Sequence, residues 1–354
     1  MKVAQVCPSF YPCIGGVESH VIEISRRLVQ KGYEIEVLTT DPTGNLPNEE
    51  TLNGIRIKRF AAFAPNGNYY FSGGLRRYLA TSSSTYDILH AHNYHALPAL
   101  YSAKAKSKKL FFTPHYHERT NSLLRNFFHL AYRIEARKIF EKANKVICVS
   151  SYERNVLLRH FTIEESKINV IPNGIDVNIN YLKFNKEKTG KNILYVGRLE
   201  KYKGVHFLIK AVSKLNDDIT LNIVGSGNYK NKLIKLVKNL GINEKVNFFE
   251  QMDRSSLLQK YLDSDLFVLL SNEEAFGISV GEALALGIPC IVCNCSALVE
   301  WVDEINCFGL KYPIDIDVLA SMIENISGKK IDKQKFATWD DVTGRLASLY
   351  ETNN

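Results

Sequence analysis

The sequence predicts an α/β protein built from two parallel-sheet domains. Three observations carry this expectation. Short β-rich runs alternate with amphipathic helical patterns. The alternation breaks at Ile171-Pro172-Asn173-Gly174-Ile175-Asp176, where Pro and Asn-Gly signal a turn, and then restarts. The chain has 354 residues, long for one domain and comfortable for two.

In the first half, strands are expected at residues 3–7, 34–39, 86–90, 109–112 and 145–149, with helices at 17–31 and 121–143. A polar run then leads to Gly190. In the second half, strands are expected at 192–196, 220–224, 246–249, 266–270 and 290–292. Helices are expected between them at 205–215, 228–240, 255–264 and 280–286. The domains are placed at 1–172 and 173–335. In open parallel sheets ligands bind beyond the carboxyl ends of the strands, so the motifs that directly follow strands are the ones to read.

Apolar residues make up 45% and charged residues 23%, enough for each half to bury a core without the composition of a disordered chain. Apolar runs such as Leu266-Phe267-Val268-Leu269-Leu270 are strand-sized, well short of the roughly 18 residues that span a bilayer. The start, Met1 to Val6, reads as a first strand rather than the long apolar segment of a signal peptide, so a cytoplasmic protein is expected. Seven cysteines, an odd number, fit a reducing compartment. Cys290, Cys293 and Cys295 end an apolar run with no second cysteine pair or histidine at finger spacing, so they read as packing residues rather than metal ligands.

The net charge of +8 is unevenly spread. Residues 1–172 carry 23 Lys and Arg against 14 Asp and Glu; the remainder carries 22 against 23. The first half is therefore expected to meet something anionic, such as a phosphate-bearing acceptor or a membrane surface. Arg119, Arg125, Arg133, Arg137, Lys138, Lys142 and Lys145 lie among Leu, Phe and Tyr. That pattern suits a helix lying on an anionic membrane and equally one that covers the sheet. No recognition module or aromatic-basic platform points to nucleic acid.

After strand 192–196, Arg198 and Lys203 stand five apart between Gly197 and Gly204. A guanidinium fork and a point charge together suit a diphosphate. After strand 220–224, Gly225-Ser226-Gly227 lets the backbone approach a phosphate, without forming a dinucleotide fingerprint because position 230 is Lys. After strand 266–270 come Glu274 and, eight residues on, Glu282. On one continuous helix they would lie about 80° and roughly 12 Å apart. The Phe276-Gly277 step instead predicts Glu274 on a loop and Glu282 on a helix, with the amides of Phe276, Gly277 and Ile278 at the positive helix end. Ionised carboxylates there are strong acceptors for sugar hydroxyls.

These residues carry a resemblance. Glu274 and Glu282 enclosing Phe276-Gly277, the run Glu282-Ala283-Leu284-Ala285-Leu286-Gly287-Ile288-Pro289, and the upstream Arg198 and Lys203 resemble glycosyltransferase family 4. So do Gly15-Gly16-Val17-Glu18, His90-Ala91-His92, Thr113-Pro114-His115 and the Ile171–Asp176 segment, in that order along the whole chain. The resemblance implies a retaining enzyme of the GT-B fold, two Rossmann-like domains facing a central cleft that closes on the donor. It also implies a C-terminal helix over 336–354 that returns to the first domain.

Roles follow from the same resemblance. Arg198 and Lys203 would hold the donor diphosphate and Glu282 the ribose. Glu274 and the amides of Phe276, Gly277 and Ile278 would hold the transferred sugar. Gly15, Gly16 and Gly225 would line the donor, and His115 would sit beside the sugar. The partners implied are a nucleotide-sugar donor, UDP- or GDP-linked, and a glycan acceptor; the basic first half adds the expectation of a lipid-phosphate-linked acceptor and of loose, peripheral association with the inner face of the cell membrane.

Two departures touch donor identity. Where such enzymes often carry Gly-Gly-x-x-Glu, this chain has Ser296-Ala297-Leu298-Val299-Glu300, and the loop after strand 246–249 has Gln251 in place of a common Gly. His90, His92, His115 and His117 lack a placed carboxylate partner, and Asp263-Ser264-Asp265 precedes a strand, at the wrong end for the site. No cofactor and no obligatory metal are therefore expected. A sugar-nucleotide 2-epimerase and a non-catalytic nucleotide-sugar-binding protein are the competing readings.

Overall fold

The computed structural model describes residues 1–13, 15–67, 69–117, 123–177, 190–250 and 252–352, without the side chains of 66 and 123–131. It divides into two units, residues 1–174 with 337–354, and residues 175–336. Arg119, Gln251, the start of the helix expected at 121 and most of the polar run before Gly190 lie outside the described residues, as does the side chain of Arg125.

The first unit holds strands β1 (Lys2–Val6), β2 (Glu34–Asp41), β3 (Glu49–Leu52), β4 (Ile55–Ala61), β5 (Ile88–His92), β6 (Leu110–Thr113), β7 (Lys145–Cys148) and β8 (Ile168–Val170). Among the described residues they form one sheet in the order β3-β4-β2-β1-β5-β6-β7-β8, parallel except for β3 against β4. Its helices are α1 (Gly16–Gln30), α2 (Gly73–Ser82), α3 (Leu97–Ala103), α4 (Leu123–Lys142) and α5 (Ser151–His160). The second unit holds β9 (Lys191–Val196), β10 (Ile219–Val224), β11 (Val246–Phe249), β12 (Leu266–Leu269), β13 (Cys290–Cys293) and β14 (Cys307–Leu310), all parallel in the order β11-β10-β9-β12-β13-β14. Its helices are α6 (Val205–Val212), α7 (Lys230–Asn239), α8 (Arg254–Leu262), α9 (Ile278–Ala285) and α10 (Ile316–Ile326). The final helix, α11 (Trp339–Thr352), belongs to the first unit and packs on α1.

In both sheets the strand order reverses at the first strand of the unit. β1 lies between β2 and β5, and β9 between β10 and β12. The segments after β1 and β9 thus leave at topological switch points, where such sheets bind ligands. The central strands are buried on both faces, which is why they read as continuous apolar runs: Leu266 to Leu269 are all buried. α1 buries His20, Val21, Ile24, Ser25, Arg27 and Leu28, one stripe at helical spacing.

Three expectations need correction. The strand expected at 86–90 runs from Ile88 to His92, so it holds His90 as expected and extends to include His92, both buried. The unit boundary falls after Gly174, not after Pro172. Asn173 is hydrogen-bonded to His20, and a Cβ on Gly174 would come within 2.4 Å of the Trp339 backbone, so both positions belong to the first unit. The far boundary falls after Phe336, whose ring packs on Trp301 of the second unit.

Glu153 ties α5 to the end of β6. It is fully buried, and its carboxylate accepts the backbone N–H groups of Tyr116 at 2.5 Å and Val149 at 2.6 Å. Its own N–H donates to the Ser150 hydroxyl that caps the helix. Glu153→Ala is expected to leave buried donors unmet and destabilise the protein by about 2–4 kcal/mol. That lowers the thermal midpoint by roughly 5–10 °C. Exposed Glu135→Ala should move it by about a degree at most.

Candidate active site

The second unit gathers its sequence-predicted residues at the carboxyl ends of β9, β10 and β12. Backbone hydrogen bonds stitch the three following loops together. Leu199 N–H donates to Ser226 O at 2.7 Å, Tyr229 N–H to Leu199 O at 2.9 Å, and Asn272 N–H to Tyr202 O at 3.1 Å. Gly225 is required by close approach, since a Cβ there would sit 1.9 Å from Gly197 O.

Glu274 lies on the loop after β12, and Glu282 lies on α9. Each carboxylate is paired with a base. Lys203 Nζ lies 2.5 Å from Glu274 Oε1, with side chains only 11% and 14% exposed. Arg254 Nη1 lies 2.6 Å from Glu282 Oε1, and the buried Tyr261 hydroxyl donates to Glu282 Oε2 at 3.1 Å. Burial, and then the Glu282 charge, push the Tyr261 hydroxyl well above its usual pKa, so it stays a proton donor. Arg198 is exposed and donates to the Tyr202 hydroxyl at 3.0 Å.

The Glu274 backbone is fixed from the segment after β13. Its N–H donates to Ser296 Oγ at 3.2 Å, and its carbonyl accepts from Ala297 N–H at 3.2 Å. Ser296 sits at φ +53°, a left-handed conformation that favours glycine. The departure from Gly-Gly-x-x-Glu thus replaces a conformationally free residue with a hydroxyl cap on Glu274. Beyond Glu274, Phe276 O accepts from Trp301 Nε1 at 2.7 Å. Gly277, at φ +98°, turns the chain into α9. The first amides of α9, beginning at Ile278, form its positive end.

Sequence reasoning missed Arg254, Tyr261, Ser296 and Trp301. Arg254 and Tyr261, seven residues or about two helical turns apart, are ordinary residues of α8 whose partner, Glu282, is on α9. Asp263-Ser264-Asp265 joins α8 to β12. Asp265 accepts Asn192 N–H at 2.8 Å, at the start of β9 and so at the opposite strand end from the site. The seven cysteines are free thiols.

The first unit presents a separate set. Gly15 precedes α1 in extended conformation, and a Cβ there would meet the Glu18 carboxylate at 2.4 Å; Gly16 opens α1 with free space around it. His115 follows β6 at φ +48°, 9% exposed, its ring edge-on to His20 at 5.0 Å and stacked with His92 at 6.0 Å. His90 is occupied by Tyr350 and Thr113, and His117 stacks on His95. In the basic segment, Ala136, Ile139, Phe140 and Ala143 are buried in the core, while Arg137, Lys138 and Lys142 are exposed. Arg133 donates to His160 O at 2.7 Å. Among the described residues no helix is long and apolar enough to cross a membrane.

The model of Glycosyltransferase Family 4 matches residues 14–179, and that of Glycosyl transferases group 1 matches residues 179–336. An uncharacterised glycosyltransferase of Methanocaldococcus jannaschii is 26% identical, covering 99% of this chain and 98% of its own. The GDP-mannose:cellobiosyl-diphosphopolyprenol alpha-mannosyltransferase of Xanthomonas oryzae is 27% identical over 86% of this chain and 81% of its own. The structure of sucrose-phosphate synthase from Thermosynechococcus elongatus aligns with a TM-score of 0.81 at 20% identity, covering 99% of this chain and 98% of that one. The chain belongs to the glycosyltransferases of the family 4, group 1 type, with the GT-B fold.

Proposed function

We propose that this glycosyltransferase moves a hexose, with retention at the anomeric carbon, from a UDP- or GDP-linked donor to a glycan or lipid-linked acceptor in surface-glycan, glycolipid or N-glycan assembly. The observation that carries the reading is the pair of base–carboxylate contacts, Lys203–Glu274 and Arg254–Glu282, held by loops and helices at the strand ends of the second unit. The relative named for GDP-mannose and a polyprenol-diphosphate-linked acceptor supports the donor and acceptor classes.

In this reading Arg198 and Lys203 bind the diphosphate, Glu282 the ribose hydroxyls, and Glu274 with the amides at the start of α9 the transferred sugar. The anomeric C–O bond to phosphate breaks and a bond to the acceptor oxygen forms on the same face. The acceptor proton passes to an oxygen of the departing diphosphate. The charge gathering on that leaving group is met by Lys203, Arg198 and the helix end, which are already in place. These cations do the work that a metal does in other phosphate sites, so the donor site needs no metal. The first unit supplies the acceptor side, and His115 a hydrogen bond to the sugar.

Glu274→Ala and Lys203→Ala are each expected to lower kcat/KM at least ~100-fold, about 2.7 kcal/mol of transition-state stabilisation. The assay offers UDP-, GDP- and ADP-linked sugars with and without acceptor. Near-wild-type transfer by both variants removes the site assignment, and a C2-epimerised product formed without acceptor moves the chain to the epimerases.

The exposed Arg137, Lys138 and Lys142 on α4 and the basic charge of residues 1–172 support cytoplasmic, peripheral membrane association. The protein is expected to co-sediment with vesicles containing anionic lipid at low salt and to dissociate at high salt. Equal recovery with neutral and anionic vesicles contradicts the association.

A further inference from the structure

We propose that His20, His92 and His115 of the first unit form a binding site for a divalent transition metal of the zinc class. The inference goes beyond the donor-site reading, whose tested residues, Lys203 and Glu274, lie in the second unit; His115 is the residue that both use. One ring nitrogen of each histidine lies within 4.8 Å of the others, and all three residues are at least nine-tenths buried. Three nitrogens, His20 Nε2, His92 Nδ1 and His115 Nε2, are buried without a hydrogen-bond partner among the described residues. Buried polar atoms are nearly always satisfied, so an unmet ring nitrogen on each of three clustered histidines calls for a ligand.

The tautomers follow from the surrounding network. Gln5 Nε2 donates to the Tyr350 hydroxyl at 3.4 Å, which turns Gln5 Oε1 toward His92 Nε2 at 2.7 Å. An amide oxygen can only accept, so His92 carries its proton on Nε2 and leaves a lone pair on Nδ1. Asn173 Oδ1 accepts from His20 Nδ1 at 2.7 Å, leaving a lone pair on His20 Nε2. An N–H donated outward to a carbonyl-type oxygen, with the other nitrogen left bare, is how metal-bound histidines are oriented. Burial keeps these rings neutral, with the His20 pKa lowered to about 4 and those of His92 and His115 well below the usual value. His90 is excluded as a ligand because Tyr350 and Thr113 take both of its nitrogens, at 2.6 and 2.8 Å.

Three neutral imidazoles without a carboxylate select zinc, cobalt, nickel or copper over magnesium or calcium. A tetrahedral ion at a Zn–N distance of 2.0–2.1 Å holds its donors about 3.3 Å apart, so the rings must draw together by up to about 1.5 Å. The fourth position is left for water, whose ionisation offsets part of the added charge. Metal loading takes the His115 nitrogen that would otherwise reach the sugar, so metal-loaded and metal-free protein differ at that residue.

The test is titration of the full chain with cobalt(II) after chelator treatment, read by visible d–d absorption and by metal content. The expected result is a tetrahedral cobalt spectrum saturating at one ion per chain and bleached by zinc. His92→Ala and His115→Gln should abolish the spectrum, Gln5→Leu should weaken binding by roughly 10–100-fold, and His117→Ala should leave it unchanged. Circular dichroism checks the fold of each variant, and His115→Gln, at the most exposed of the three positions, decides the matter if His92→Ala does not fold. Absence of cobalt uptake by the wild-type chain, or uptake unchanged in His115→Gln, overturns the site and leaves a histidine cluster that binds no ion. Neither result bears on Lys203 or Glu274, so this proposal and the donor-site reading fail independently.

Discussion

The ion pair between Lys203 and Glu274 is the contact on which the second unit's site depends. Both side chains are nearly buried, so each charge has lost most of its water and relies on the other. Breaking a buried pair from one side costs about 3–5 kcal/mol, because the remaining charge is left uncompensated. The pair joins the loop after β9 to the loop after β12, two adjacent strands at the point where the sheet order reverses. The Glu274 backbone is held in turn by Ser296 and Ala297, so the segment after β13 supports the same contact. On the proposed function, a site built this way has its charges in position before the donor arrives, and little reorganisation remains for the transition state.

Arg254, Tyr261 and Glu282 repeat the logic one layer away. Glu282 is 7% exposed on an otherwise apolar α9, and both of its oxygens are engaged. Tyr261 is fully buried and uses its hydroxyl to fix the carboxylate. On the proposed function, a ribose would exchange its hydroxyls for the contact with Arg254, which is the more exposed partner at 46%. The rigid partner stays and the exposed one yields, an arrangement suited to binding and release.

Much of this was legible in the sequence. The parallel strands announced themselves as apolar runs, and the Phe276-Gly277 step correctly separated a loop glutamate from a helical one. What stayed hidden depended on side chains meeting across elements. Arg254 and Tyr261 lie on α8, with no local pattern that marks them as partners of Glu282. Ser296 looked like the loss of a glycine motif, and only its left-handed backbone and its bond to Glu274 show what the hydroxyl does. His20 sits on the buried stripe of α1, where it passes for core. His92 lies past the expected strand end because polar side chains inside a central strand run against its apolar pattern; the Gln5–Tyr350 network that accommodates it spans 345 residues of sequence. Strands β3, β4, β8 and β14 were missed: β3, β8 and β14 are edge strands of four residues or fewer, and β4 alternates apolar with basic residues, Ile55-Arg56-Ile57-Lys58-Arg59-Phe60, instead of forming the continuous apolar run of its neighbours.

The most direct measurement is a double-mutant cycle on kcat/KM across Lys203→Ala, Glu274→Ala and the double variant. If the two side chains act as one preorganised unit, the double variant should lose little more than the worse single variant, giving a coupling of about 1.5 kcal/mol or more. Losses that add to within about 0.5 kcal/mol would mean that the residues act independently, and would contradict the central place given to their ion pair.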